Sequence, residues 1–115
     1  MNVSELAIKL GAKILTGENE CGTQINGVYC GDLLSWVMSH AGKGFAWITV
    51  HTNLNIVAVA ALCDLACIII PENIDVEEAT IKRAAGEGIP ILSTQLSTYE
   101  VCCAAYECGI RQKKS

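Results

Sequence analysis

The sequence predicts an α/β fold, a three-layer open sheet of about five mostly parallel strands with helices on both faces. Two strand–helix units carry this prediction: residues 25–30 and 45–50 are apolar strand candidates, and each runs through a short polar link into an apolar helix candidate. The third observation is the run 67–70, which is apolar without alternation, as is typical of a central parallel strand. Polar links of this kind are expected at the carboxyl ends of the strands, where open α/β sheets bind ligands.

The N-terminal part of the chain predicts one helix, one strand and a loop. Ser4 is placed to cap a helix over residues 5–10, which Gly11 ends. Residues 12–15 form a short strand candidate. The segment 16–23 is polar and contains two glycines, which favours a loop.

The two central helices begin after polar residues that suit N-caps. Asp32 stands just before Leu33, and Thr52 or Asn53 stands just before the next helix, residues 54–63. This second helix is apolar nearly all round, which indicates burial on more than one side.

The C-terminal half predicts two capping boxes around a further strand. Asp75 with Glu78 opens one helix, and Ser97 with Glu100 opens the last one. Between these helices, residues 89–92 form a strand in which Pro90 marks the start or an edge position.

Length, composition and charge narrow the class of protein. A chain of 115 residues with 51% apolar residues is expected to form one domain, residues 1–115. The net charge of −4 argues against nucleic acid as a partner. The longest apolar run has eight residues, which is too short to cross a membrane, and no secretory signal opens the chain. We therefore expect a cytoplasmic location, with the seven cysteines reduced.

Several segments, in order and spacing, resemble the DRTGG domain family. The matching segments, which together span nearly the whole chain, are residues 27–38, 46–49, 51–60, 67–70 and 88–92. The Asp-Arg pair of the family's name is absent, and Gly22 and Thr23 stand at the corresponding positions. The resemblance implies a fold like that of the N-terminal domain of HPr kinase. It also implies a regulatory role beside metabolic or signalling proteins, without catalysis, and a tendency to form homodimers.

Six polar residues are the candidate ligand site. They follow the first, second and last of the parallel strand candidates: Asp32, His51, Thr52, Asn53, Ser93 and Thr94. At a helix N-terminus, free N–H groups and the helix dipole favour negative charge, so His51, Thr52 and Asn53 predict a small anionic metabolite or a nucleotide as ligand. Each residue also has a simpler explanation, as a helix cap, a capping turn or an ordinary polar loop.

The cysteines offer an alternative, redox or metal chemistry. Their spacing does not match the Cys pairs on tight turns that hold zinc, so we expect no metal and no cofactor. Cys103 falls on a helical stripe with Leu96, Tyr99 and Tyr106, which favours a core position. Cys21 and Cys30, in or beside the polar loop, are the expected exposed thiols.

No catalytic motif stands out, so the sequence favours a non-catalytic regulatory or sensor module rather than an enzyme. We expect Trp47 in the core. The face with Trp36 either packs on the sheet or forms a dimer contact. The predicted activities are binding of the anionic ligand, homodimerisation and contact with a partner protein. The alternatives are a purely structural dimerisation module and a cysteine-based redox or metal-binding protein.

Overall fold

The structure is a computed structural model that describes residues 1–112, and it contains one five-stranded sheet flanked by helices. The strands are β1 Lys13–Thr16, β2 Gly27–Cys30, β3 Phe45–Ile48, β4 Cys67–Ile70 and β5 Ile91–Ser93. The helices are α1 Val3–Leu10, α2 Leu34–His40, α3 Asn55–Cys63, α4 Glu78–Glu87 and α5 Thr98–Glu107. The predicted loop after β1 contains a short 3-10 helix, Glu18–Glu20.

Four strands of the sheet are parallel and lie side by side in chain order. The sheet order is β1-β5-β4-β3-β2, and β1 pairs with β5 in the antiparallel direction. The register across the sheet places Trp47 between Tyr29 and Ile68, and Ile68 next to Ile91. The predicted fold class is confirmed, and the antiparallel member is the edge strand β1.

Successive strand residues point to opposite faces of the sheet, and each face has its own core. Trp47, Ile68 and Ile70 pack with residues of α2, α3 and α4. Ile48 and Ile69 pack with residues of α1 and α5. Both faces of β4 are covered, which explains why its sequence is continuously apolar and confirms its prediction as a central strand. Trp47 is fully buried, as expected.

The first helix begins earlier than the sequence predicted. Asn2, not Ser4, is its N-cap, and the side chains of Asn2 and Glu5 form a capping box. The helix starts at Val3 because this side chain is buried in the core and its N–H donates to the Thr23 carbonyl. Gly11 ends the helix in the left-handed conformation, as predicted.

Of the two predicted capping boxes, one forms. Ser97 and Glu100 cap α5 reciprocally, with bonds of 3.2 Å and 2.9 Å. The predicted Asp75 and Glu78 box is wrong, because α4 begins at Glu78 after Glu77, which makes no side-chain cap. The preceding Ile74 and Val76 both pack against the core on the α2, α3 and α4 face. We infer that this alternating anchorage keeps residues 74–76 out of the helix.

The burial of two helices is now defined by the structure. Helix α3 buries Ile56, Val57, Val59 and Ala60, and its outer side exposes Ala58, Ala61 and Leu62. In α5 the buried residues are Val101 and Ala105.

The predicted stripe of α5 is therefore wrong. Tyr99 and Tyr106 are exposed, and Cys103 is half-buried rather than a core residue. Val101 and Ala105 are four residues apart, so the face that they share turns the two tyrosines outward.

Pro90 directly precedes β5, and its carbonyl accepts a hydrogen bond from the Ile68 N–H. The predicted position of Pro90 at the start of the strand is therefore confirmed.

Among residues 1–112, no helix is long and apolar enough to cross a membrane.

Candidate functional site

The carboxyl ends of β2, β3, β4 and β5 lie at one edge of the sheet, because these four strands are parallel. We call this the carboxyl edge. Asp32 follows β2, the residues His51, Thr52 and Asn53 follow β3, and Ser93 with Thr94 stands at the end of β5. Strands β2 and β3 are neighbours, whereas β4 separates β3 from β5. The sheet therefore places the first two groups side by side and the third group further along the same edge.

Asp32 joins two loops instead of capping a helix. Its Oδ1 accepts a hydrogen bond of 2.8 Å from the Thr49 hydroxyl and one of 2.9 Å from the Val50 N–H. The predicted N-cap role is wrong, since α2 begins at Leu34 after Leu33, without a side-chain cap. The carboxylate is used to hold the end of β2 against the end of β3.

Thr49 is a member of this arrangement that sequence reasoning missed. Its side chain is buried, and its hydroxyl also accepts a bond of 3.2 Å from the His51 N–H. The signal was present in the sequence, since Thr49 is the polar residue at the end of an apolar strand, where a hydroxyl needs a partner.

The β3–α3 loop is held by its own polar groups. The Asn53 Oδ1 accepts from the Asn55 N–H at 3.0 Å, and the Thr52 carbonyl accepts from the Thr80 hydroxyl at 2.7 Å. The N-cap of α3 is Leu54, which makes no side-chain bond, so the predicted capping by Thr52 or Asn53 is wrong. The Asn53 side chain instead forms a turn through its bond to the Asn55 N–H. His51 and Asn53 are both half-buried.

At the end of β5, the Thr94 hydroxyl has hydrogen-bond partners and the Ser93 hydroxyl has none within residues 1–112. Thr94 is 2% exposed, and its hydroxyl donates to the Leu10 carbonyl at 2.9 Å and accepts from the Leu96 N–H at 3.2 Å. Its side chain thus connects β5 with α1. Ser93 is half-buried, and within the described part of the chain its hydroxyl makes no hydrogen bond.

Four side-chain donor groups at the carboxyl edge are left over after this accounting. Within residues 1–112, the His51 ring, the Thr52 hydroxyl, the Asn53 side-chain NH₂ and the Ser93 hydroxyl have no hydrogen-bond partner. Each belongs to a half-buried residue. Ligand binding by the six predicted residues stays a prediction, and these four groups are its free donors.

An exposed apolar surface adjoins this edge. It comprises Leu33 and Trp36 at α2, Val50 after β3, and Leu54 before α3. Trp36 is 55% exposed, and its ring stacks on His40 with 4.7 Å between centroids. Of the two placements open to Trp36, packing on the sheet is excluded by this exposure. We call these four residues the α2 surface.

A cleft of about 560 Å³ lies at the opposite edge of the sheet. We call it the amino-edge cleft; among its lining residues are Glu20, Lys43, Asp64 and Glu87. The C-termini of α3 and α4 end there, at Cys63 and Glu87. Three carboxylates, one ammonium group and the negative ends of two helix dipoles make this cleft unfavourable for anions. Sequence reasoning missed it, because the lining comes from segments far apart in the chain.

No disulfide joins any of the seven cysteines within residues 1–112, and the cysteines are distributed over both faces of the sheet. Cys21 is buried, contrary to prediction, and its thiol donates to the Gly17 carbonyl at 3.4 Å. Burial raises the pKa of Cys67 to about 12, and burial together with Glu18 and Glu20 raises that of Cys21. In the described residues, no group of three or more His, Cys, Asp or Glu side chains is arranged to hold a metal ion.

Comparison with known proteins identifies the family. The family model of the DRTGG domain matches residues 5–108, so the chain belongs to the DRTGG domain family. No curated protein matches the chain.

One of the similar solved structures contains the CBS and DRTGG domains of the regulatory region of Clostridium perfringens pyrophosphatase, in complex with the activator diadenosine tetraphosphate. The TM-score is 0.71 at 13% sequence identity, which supports the fold. The match covers 90% of this chain and 45% of that one, so this chain corresponds to less than half of the regulatory region.

Proposed function

We propose that this DRTGG domain is a non-catalytic regulatory module that binds a small anionic ligand, of the nucleotide class, at the carboxyl edge. The observation that carries the proposal is the set of unpaired donors there: the His51 ring, the Thr52 hydroxyl, the Asn53 NH₂ and the Ser93 hydroxyl. Asp32 and Thr94 are proposed to hold the loops in place, because their side chains already bond other parts of the chain.

Electrostatics favours this edge over the other one for an anion. The loop before α3 lies at the positive end of that helix dipole, whereas the amino-edge cleft collects carboxylates and helix C-termini. The phosphate groups of a nucleotide would thus find donors on the loop before α3 and at the end of β5.

The similar pyrophosphatase region adds support from a second direction. It was crystallised with a dinucleotide activator, diadenosine tetraphosphate. We propose a nucleotide for the present chain on its own donors, and a metabolic or signalling enzyme as the partner that responds. The cytoplasmic location predicted from the sequence stays a prediction.

A thermal-shift titration tests ligand binding. The probes are diadenosine tetraphosphate, ATP, AMP, acetyl phosphate and inorganic phosphate, each added to the full chain. A ligand at 100 times its Kd stabilises the folded state by about 2.7 kcal/mol, which is several degrees in Tm for a domain of this size. The absence of stabilisation by all five probes contradicts the proposal.

Asn53→Asp is the variant that separates binding from folding. It keeps the Oδ acceptor that holds the Asn55 N–H, removes the NH₂ donor and adds a negative charge. We expect an unchanged Tm without ligand and the loss of the ligand-induced shift. Lys43→Ala in the amino-edge cleft is the matched control and should keep the shift. The opposite pattern would assign the ligand to the amino-edge cleft.

Dimerisation is the second activity that we propose, through the α2 surface. Leu33, Trp36, Val50 and Leu54 are all large apolar side chains exposed on neighbouring segments, and aromatic residues are enriched at protein interfaces. Light scattering should give twice the 12.3 kDa of one chain. Trp36→Ala should lower the mass to one chain, whereas Tyr99→Ala, an exposed aromatic residue on α5, should not. A wild-type chain that is monomeric at high concentration contradicts this part of the proposal.

A further inference from the structure

A pair of thiols lies beside the free edge of the sheet, where the last strand residue of β2 meets α5. Cys30 is the last residue of β2, and Cys102 belongs to α5. Both side chains pack against the core on the α1 and α5 face. Both also line one cavity of about 180 Å³. The two thiols are near enough to influence each other, because after burial the neighbouring Cys102 contributes to the raised pKa of Cys30.

We propose that Cys30 and Cys102 form a reversible intramolecular disulfide when the protein meets a small disulfide of the glutathione class. Two features support a pair rather than a single reactive thiol. The thiols line the same small cavity, between the end of β2 and α5, so closing the bond requires little loss of chain freedom. The cavity that they share is bordered by the exposed residues Tyr106 and Gln112, which leaves a route from solvent.

The order of the two steps is assigned from Cys30. Burial and the neighbouring Cys102 raise the pKa of Cys30 to about 12, which disfavours Cys30 as the first nucleophile. The first attack is therefore assigned to Cys102, which gives up its proton to solvent and attacks one sulfur of the small disulfide, so that a mixed disulfide forms and one small thiolate is released. Cys30 then passes its proton to that thiolate and attacks the Cys102 sulfur, which releases the second small thiol. Two protein thiols are oxidised, and one small disulfide is reduced to two thiols.

The other thiols of the described chain lack this combination of proximity and access. Cys21 and Cys67 are near each other, but both are buried in the core. Cys103 interacts with the Tyr99 hydroxyl, and Cys63 lies at the end of α3 on the opposite face of the sheet. Neither Cys103 nor Cys108, the C-cap of α5, lines the cavity that Cys30 and Cys102 share. Oxidation by a small disulfide is therefore expected to select the Cys30–Cys102 pair.

Oxidation would tie the carboxyl end of β2 to α5. Cys30 stands two residues before Asp32, whose carboxylate joins the β2 and β3 loops. A change in the position of β2 would thus reach the candidate ligand donors, a consequence that rests on the proposed function. The disulfide itself does not depend on any ligand.

The test identifies which cysteines of the full chain are oxidised. The protein is treated with oxidised glutathione, unfolded, alkylated with iodoacetamide and measured by intact and peptide mass spectrometry. We expect two fewer alkyl groups than the seven that the reduced chain accepts, and one cross-linked peptide pair that contains Cys30 and Cys102. Dithiothreitol should restore all seven.

Three variants distinguish the outcomes. Cys30→Ser and Cys102→Ser should both lose the cross-link, whereas Cys103→Ser, at the adjacent position of α5, should keep it. Cys30→Ser should stop at the mixed disulfide on Cys102. A disulfide between other cysteines, a bond between two chains, or a wild-type product that stops at the glutathione adduct overturns the proposal. None of these results depends on whether a nucleotide binds.

Discussion

Asp32 shows how one carboxylate can serve a fold in a way that its local sequence does not reveal. A short polar residue before an apolar helix predicts an N-cap, and this pattern is local. The hydrogen-bond donors to Asp32 are the Thr49 hydroxyl and the Val50 N–H. Both follow strand β3, 17 and 18 residues further along the chain. The sequence could therefore predict that Asp32 matters at the carboxyl edge, but not which groups it bonds.

We expect Asp32→Ala to destabilise the domain by about 1–3 kcal/mol, because two donors lose a charged acceptor. Urea unfolding measures the difference. Asp75→Ala is the matched control, since Asp75 is exposed and caps no helix, and it should stay within about 0.5 kcal/mol of wild type. Equal effects of the two substitutions would show that the bonds of Asp32 contribute nothing to stability.

Cys67 should make stability depend on pH in the alkaline range. Its pKa rises from 9.0 to about 12 on folding, so only the unfolded chain loses the proton between these values. The stabilising contribution is complete below pH 9 and is lost as the pH rises towards 12. Between pH 8 and pH 10 the free energy of unfolding should fall by about 1.4 kcal/mol more in wild type than in Cys67→Ala.

Cys103→Ala is the control for this measurement, which is made under reducing conditions. It should keep the full alkaline decrease of wild type, because Cys103 lies outside the buried core. If the free energy of unfolding falls equally with pH in Cys67→Ala and in wild type, the thiol of Cys67 ionises equally in the folded and unfolded states, and the prediction is wrong.

At the scale of the elements, helix ends were predictable where the cap and its partner are close in the chain. The Ser97 and Glu100 box formed as predicted, since both residues and both bonds lie within one turn. The start of α1 was misplaced because two caps competed, Asn2 and Ser4, and tertiary burial of Val3 decided between them. Tertiary packing also explains the start of α4: Ile74 and Val76 pack against the core, and the helix begins at Glu78 instead of after Asp75 as predicted.

Substitutions at the two competing caps give a direct test. Asn2→Ala should cost about 1 kcal/mol in the free energy of unfolding, because the Glu5 N–H loses its acceptor. Ser4→Ala should have little effect, since Ser4 is already inside the helix. Thermal or urea unfolding of the two variants decides, and a larger loss for Ser4→Ala would contradict the assignment of the cap.

At the scale of the whole molecule, the number and type of elements were predictable and their neighbours were not. Periodicity showed that residues 67–70 are covered on both faces, but it carries no information on which strands lie beside them. The strand order, the pairing of β1 with β5 and the amino-edge cleft all arise from contacts between distant segments.

The sheet order predicts a gradient of local stability. Strands β3 and β4 are central, paired on both sides and buried along their whole length. Strand β1 is at an edge, and its pairing with β5 is irregular between Ile14 and Thr16. Native-state hydrogen exchange should therefore be slowest in Phe45–Ile48 and Cys67–Ile70 and faster in Lys13–Thr16. Equal protection of β1 and β4 would show a single cooperative unit without such a gradient.

The face of the sheet beneath α1 and α5 has a consequence for biosynthesis. Its cover comes from the first helix and the last helix of the fold, and α5 is synthesised after all five strands. Until then a nascent chain holds Ile48, Ile69 and Leu92 without the contacts of Val101 and Ala105. Chaperones that recognise bare apolar surface should therefore associate with this protein up to the moment at which translation passes α5.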